Sequence, residues 1–265
     1  YQITTLSQCS FMKTDRHFVT ALSRGLEVLR TFNAQEPELG TTEIAKRTNL
    51  SQSTVWRLCY TLQKAGYLST GHDPEKLRVT PAVFQLGCSS ISHGSLIEAA
   101  QPWIREIANR FEASISIAMR SNLNMIIVAR AAAHSMLQLN FQVGSMLRIE
   151  RSALGAAYIS VVKESEREEI YEALRNGMPD LWPSTYKYLE KSRQIYAKKG
   201  YVLNLRQYHP DVNALGLAAV TPNGKRVLAI NCGGASSVMT KKKLEGPVSE
   251  AMLSLKDRLS DMLPM

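Results

Sequence analysis

Residues 41–70, TTEIAKRTNLSQSTVWRLCYTLQKAGYLST, constrain this chain more than any other stretch. In their second half Val55, Leu58, Cys59, Leu62 and Ala65 recur at spacings of three and four, one stripe of a helix. The opposite face carries Ser53, Trp56, Arg57, Tyr60 and Lys64, a polar, aromatic and basic set. A shorter helical stretch, Thr42 to Thr48, precedes it, and the joint is only Asn49, Leu50 and Ser51. Two short helices joined so briefly predict a helix-turn-helix whose second helix enters a DNA major groove. Ser51 suits the N-cap of that helix and Gly66 its stop. Thr41 or Thr42 can cap the first helix, Glu43 suits its positive end, and Asn49 tolerates a left-handed backbone.

Two strands, Tyr67–Ser69 and Leu77–Val79, are expected next, around a turn with Gly71, Asp73 and Pro74, which makes the motif winged. Double-stranded DNA contacts are expected from Thr42, Ser51, Gln52, Ser53, Thr54, Trp56, Arg57 and Tyr60, and from Lys76 and Arg78 on the wing. Arg57 is the foremost base reader, because its fork matches guanine edges and such a pair contributes ~1–3 kcal/mol of discrimination. Trp56 also suits packing against a partner subunit, and His72 sits at the wing tip. Net charge does not locate this surface. Of the overall +9, residues 1–80 hold ten Lys/Arg against seven Asp/Glu, a net of +3.

Upstream, residues 1–18 read as a loose polar arm. A helix is expected from Val19, with Leu22, Leu26, Leu29 and Phe32 as its apolar stripe, and then a loop from Asn33 to Gly40. The first domain therefore spans 19–80. Pro81 opens a linker helix, 81–95, interrupted around Gly87–Gly94, with a further break at Pro102. Beyond it, 96–265 reads as an effector-binding and oligomerisation domain. Strands are expected at Ser114–Met119, Met125–Ala131, Leu137–Phe141, Tyr201–Leu205, Ala214–Val220 and Val227–Cys232, with helical runs near 152–176 and 186–199. A last helix, 241–262, presents Leu244, Val248, Leu255, Leu259 and Met262. This order predicts an α+β domain built on one mostly antiparallel sheet.

The sequence lacks GxGxxG, GxxxxGK[ST], HExxH and GxSxG, so no catalytic motif, cofactor or metal site is expected. Cys9, Cys59, Cys88 and Cys232 are scattered, which fits a reducing compartment. No apolar run approaches the ~20 residues of a membrane span and no hydrophobic signal segment opens the sequence, so a cytoplasmic location is expected.

The stretch also resembles the IclR family of bacterial transcriptional regulators. The shared pattern is carried by Glu43, Ile44, Ala45, Thr48, Leu50, Ser53, Thr54, Val55, Arg57, Leu58, Thr61, Leu62, Gly66, Tyr67 and Leu68, with Asn49 for a usual glycine and Cys59 for a leucine. The resemblance implies a winged helix-turn-helix followed by a GAF-like effector domain. Dimers or tetramers would bind palindromic operators under control of a small organic acid. Ser152, Ala153 and Leu154 resemble the start of a helix bordering the family's pocket; Val212, Ala214 and Asn231 resemble its strands, and Asn204 a polar pocket position. Met136 and Leu139 would form an apolar lid. A helix start at Ser152 offers free amides to a carboxylate. The competing expectations are an enzyme acting on a small carboxylate and a DNA-binding protein without a ligand.

Overall fold

The computed structural model describes residues 16–33, 36–90, 94–133, 141–221, 223–224 and 226–263. These form two units, Tyr1–Ser92 and His93–Met265. Most of the polar arm, the lid residues Met136 and Leu139 and all but Phe141 of the strand expected at Leu137–Phe141 lie outside the described residues; Phe141 is not in a strand.

The first unit holds α1 (Thr20–Arg30), β1 (Glu38–Gly40), α2 (Thr41–Thr48), α3 (Gln52–Lys64), β2 (Leu68–Thr70), β3 (Lys76–Val79) and α4 (Pro81–Ser90). Asn49 adopts the left-handed conformation at φ 54°, which turns the chain from α2 into α3. Ser51 caps α3 by accepting from the Thr54 amide. At the other end Tyr67 N donates to Leu62 O at 2.8 Å and Gly66 N to Gln63 O at 3.0 Å, around a left-handed Gly66. That is the paired bonding that satisfies the last carbonyls of a helix. Val28, Ile44, Val55, Cys59, Leu39, Leu68 and Leu77 then meet in one core.

Three expectations need correction here. The segment expected as a loop before α2 ends in β1, antiparallel to β3 with Leu39 opposite Leu77. A three-residue strand is too short to show alternation, and its partner is remote in sequence. Neither Thr41 nor Thr42 caps α2; Gly40 is the N-cap, without a side-chain bond. On α1 the buried face centres on Val28, with Leu29 and Phe32 beside it, and Leu22 and Leu26 lie on the exposed flank.

The second unit runs α5 (Gly94–Phe111), β4 (Ser114–Ser121), β5 (Asn124–Ala132), β6 (Met146–Arg148), α6 (Ala153–Val161), α7 (Glu164–Gly177), α8 (Trp182–Lys199), β7 (Val202–Leu205), β8 (Val212–Val220), β9 (Val227–Ala235), α9 (Lys241–Lys243) and α10 (Ser249–Met262). Its antiparallel sheet has the order β6-β5-β4-β9-β8-β7. One face packs against α5 and α10 through Ile104, Ile115, Leu217, Ile230 and Leu255. The other packs beneath α6, α7 and α8 through Ile127, Leu154, Ile159, Leu174 and Val202. Helices on both faces explain why β8 reads as an almost continuous buried run, ALGLAAV, without alternation.

Here too the structure departs from the sequence reading. Helix α5 continues through Pro102, and α4 continues through Gly87 to Ser90. The expected run at 152–176 is two helices: Val162 and Lys163 are extended, and a helix buried nearly all round gives way to an amphipathic one. A π-helical turn at Leu244–Val248, containing Pro247, divides the closing helix. Proline has no amide to donate, so the regular ladder cannot pass it. Met262, expected in the core stripe, is 42% exposed. Strand β6 was not expected; like β1, it is three residues long.

Candidate functional site

Helix α3 presents one face to solvent through Ser53, Trp56, Arg57, Tyr60 and Lys64. That face is ordered by its own contacts. The Trp56 and Tyr60 rings stack at 5.5 Å with 14° between planes, and Lys64 Nζ lies 5.4 Å from the Tyr60 ring centre. At the helix start Ser51 Oγ lies 2.8 Å from Thr54 Oγ1 and 3.2 Å from Ser53 Oγ. Gln52 Nε2 donates to Thr41 Oγ1 at 2.8 Å and lies 3.4 Å from Thr42 Oγ1, tying α3 to α2. The hydroxyls expected to cap α2 instead join the two helices. Arg47 braces α2 through Glu43 at 2.9 Å and Glu36 at 2.8 Å.

The wing is fixed by Glu38 on β1. Its Oε1 accepts from the His72 amide at 2.9 Å, and the His72 ring Nδ1 lies 2.6 Å away. Donation by the His72 amide, foremost, holds the Glu38 carboxyl below its usual range. A Cβ on Gly71 would come within 2.7 Å of Glu38 Oε2, so the tip needs a residue without one to keep this clamp. Lys76 and Arg78 point outward from β3, with Leu77 buried between them. Arg78 Nε lies 3.4 Å from Ser69 Oγ on the neighbouring strand.

The second unit contains a cavity lined by Ser152, Ala153, Asn204, Val212, Ala214 and Asn231 among others. Its volume, taken to the centres of water-sized spheres, is about 60 Å³. Its floor is two adjacent rungs across the sheet. Arg130 pairs with Ser116, Ser116 with Asn231 and Asn231 with Gly216; two residues along, Ser114 pairs with Gly233, Gly233 with Ala214 and Ala214 with Asn204. Alternate residues of a strand share a face, so both rungs look the same way.

Helix α6 starts directly on this floor. A Cβ on Gly216 would meet Ala153 O at 2.3 Å, and one on Gly155 would meet Ile149 O at 1.9 Å. Only glycine lets the first turn of α6 approach both backbones. Ser152 caps the helix by accepting from Gly155 N at 3.0 Å. Ala153 lines the cavity, whereas Leu154, expected beside it, is fully buried in the core under α6. One step along a helix turns a side chain by about 100°, which carries Leu154 away from the opening.

The two asparagines differ. Asn204 Nδ2 donates to Arg151 O at 2.7 Å and to Tyr188 Oη at 2.8 Å, and its Oδ1 accepts from Tyr208 N at 3.1 Å. It holds the wall together. Burial pushes the Tyr188 hydroxyl it bonds up to about 12. Among the described residues, Asn231 Oδ1 is buried with no hydrogen-bond partner. An unsatisfied buried oxygen costs about 1–3 kcal/mol, so a group that completes it is favoured. The sequence reading did not single out Ser114, Ser116, Phe141, Leu147, Tyr208 or Gly234, which also line the cavity. For the serines a signal existed: in SISIA, polar residues alternate along a strand that is otherwise apolar.

A winged helix-turn-helix unit followed by an α+β unit with a cavity defines the class of DNA-binding transcriptional regulators. Residues 21–71 match the IclR helix-turn-helix domain and residues 88–260 the bacterial transcriptional regulator IclR C-terminal domain. The chain belongs to the IclR family. It is 27% identical over 236 residues to the HTH-type transcriptional regulator TsaQ1/TsaQ2 of Comamonas testosteroni, covering 88% of this chain and 84% of that one. A crystal structure of an IclR family regulator from Brucella abortus matches with a TM-score of 0.80 at 33% identity over 94% of both chains. An IclR homolog from Microbacterium hydrocarbonoxydans, solved with 4-hydroxybenzoate, shares the fold with a TM-score of 0.70 at 18% identity, over 91% of this chain and 99% of that one. Among the described residues, no helix is long and apolar enough to cross a membrane.

Proposed function

We propose that this regulator is a repressor that leaves its operator when a small organic acid fills the cavity of the second unit. The observation that carries the reading is the cavity itself: a capped helix start, a half-buried arginine and the Asn231 oxygen line one partly open space. The first amides of α6 have no helical acceptor, and a helix start favours an anion. The Microbacterium homolog, a relative in fold bound to an aromatic acid, supports the same ligand class.

On the DNA side, Arg57 reads a guanine edge while Trp56 and Tyr60 present a stacked apolar surface beside it. Gln52 and Ser53 contact the operator at the helix start. Thr42, Ser51 and Thr54 hold that start in shape, and Lys76 and Arg78 contact phosphates from the wing. A second copy of the chain supplies the other half-site of a palindrome, about 34 Å or a multiple of it away. Leu22 and Leu26 on α1 and Phe84 and Leu86 on α4, all exposed, support such an assembly. Repression follows from occupying the groove that polymerase needs.

The test is a titration of fluorescent promoter DNA with the full chain, with and without a panel of small carboxylates. Release of DNA by a carboxylate supports the reading. A carboxylate that binds and is converted to product would replace it with the enzyme reading.

A further inference from the structure

Helix α3 carries two large aromatic side chains that stand in solvent: Trp56 is 59% exposed and Tyr60 49%. With Lys64 they recur one turn apart, so the Trp56 ring stacks on Tyr60 and Lys64 Nζ lies over the Tyr60 ring. Tyr60 is thus held by a neighbour on the turn before it and by another on the turn after. Rings fixed in this way lose little freedom when a partner covers them. The IclR pattern in α3 runs through Val55, Arg57, Leu58, Thr61 and Leu62 and passes over Trp56 and Tyr60, so the apolar pair is a feature of this chain. Arg57 and Lys64 share the face, and no Asp or Glu lies anywhere in α3. The charge of this face therefore complements a polyanion.

In a major groove the prominent apolar group is the C5-methyl of thymine, set among hydrogen-bond donors and acceptors. Rings that offer carbon surface gain most by covering it. We propose that Trp56 and Tyr60 together read thymine, packing on C5-methyl groups at two successive base pairs beside the guanine read by Arg57. The proposal rests on α3 being the groove helix, as above, and adds the second base that this helix selects. Helix rise sets the footprint. The four residues from Trp56 to Tyr60 advance about 6 Å along the axis. Successive bases of one strand lie about 3.4 Å apart, so the pair spans two steps. Trp56 and Arg57 adjoin in sequence, which sets the thymine and guanine positions side by side in each half-site. A cytosine in place of thymine lacks the methyl, so carbon contact alone tells the two pyrimidines apart.

A thymine-to-uracil scan tests this, because deoxyuridine keeps the hydrogen-bonding groups of thymine and lacks only the methyl. The probe is a duplex that the full chain selects from a randomised library, titrated by anisotropy at one salt concentration. Uracil at the one or two thymines beside the guanine is expected to weaken binding about three- to fivefold each, the effect of exposing one methyl. Trp56→Ala and Tyr60→Ala should no longer distinguish the thymine duplex from the uracil duplex, and Trp56→Phe should keep part of the distinction. Lys76→Ala, on the wing, should weaken both duplexes alike and keep the distinction, which separates methyl contact from a general loss of affinity. All these side chains are exposed, so the melting temperature should not change. If uracil is tolerated at every thymine, the methyl proposal falls and the groove-helix reading stands. If Trp56→Ala dissociates an oligomer in sedimentation and leaves the uracil penalty intact, Trp56 is a subunit contact and the proposal falls. If the library yields no selected sequence, the groove-helix reading falls and the proposal with it.

Discussion

The outer face of α3 and the floor of the cavity both present an arginine among hydroxyls and aromatic rings, in opposite surroundings. Arg57 stands in solvent on one helix, its neighbours placed by the helical repeat alone. Arg130 is half-buried, and its neighbours come from β4, β9 and β8 through strand register. The exposed face gains most when a large, charged partner covers it, because screening weakens isolated surface charge. The enclosed floor can act on a molecule of a few atoms, since a charge interacts more strongly where water is scarce. One chain thus holds a surface suited to a polymer and a cavity suited to a metabolite.

Four variants sharpen or break that contrast, in order of expected effect. Gly155→Ala forces a Cβ into Ile149 O and displaces α6 from the floor. Calorimetry should show the second unit losing about 3 kcal/mol, with the first unit's transition unchanged. Equal loss in both units would break the division between them. Arg57→Ala should weaken operator binding by about 1–3 kcal/mol in an anisotropy titration and leave thermal stability alone. Ser152→Ala removes the acceptor for Gly155 N and should lower stability in urea by about 1 kcal/mol.

The smallest effect is the response of the wing to acid. Glu38 has a folded pKa below its usual 4.5, so the stability it contributes is fully present above 4.5 and is lost as pH falls through the lower folded value. Exchange at the His72 amide should therefore quicken as pH is lowered from 5 to 3, after correction for intrinsic exchange. Glu38→Gln should remove that response.

The contrast also explains what could be read in the sequence. The α2–α3 pair is local: Asn49, Ser51 and Gly66 mark its joints, and a three-to-four repeat marks its buried side. Composition and spacing within thirty residues carry that information. Strand β1 escaped because its meaning lies in Leu39 opposite Leu77, a pairing with no local trace. Leu22 and Leu26 were placed inside because a stripe shows which residues align, and only the partners settle which edge is covered.

The cavity depends on long-range register throughout. Ser152, Ala153, Asn204, Val212, Ala214 and Asn231 were reached through family resemblance, and all line it. Resemblance did not separate Asn204, whose bonds are internal, from Asn231, whose oxygen is open. Alternation in SISIA marks Ser114 and Ser116 as sharing a face, but which face that is, and the place of Tyr208, became legible only once β4 was paired and the β7–β8 connection placed.

Coupling between the two sites is the most direct test of this reading. The measurement is the affinity of the full chain for a promoter fragment, by anisotropy, at zero and saturating concentrations of an acid shown by calorimetry to bind. A coupling of about 1–3 kcal/mol, roughly 5- to 150-fold weaker DNA binding, is expected. Arg57→Ala should lose the DNA signal and keep the calorimetric one. An acid that saturates the cavity and leaves DNA affinity unchanged would contradict ligand-controlled repression.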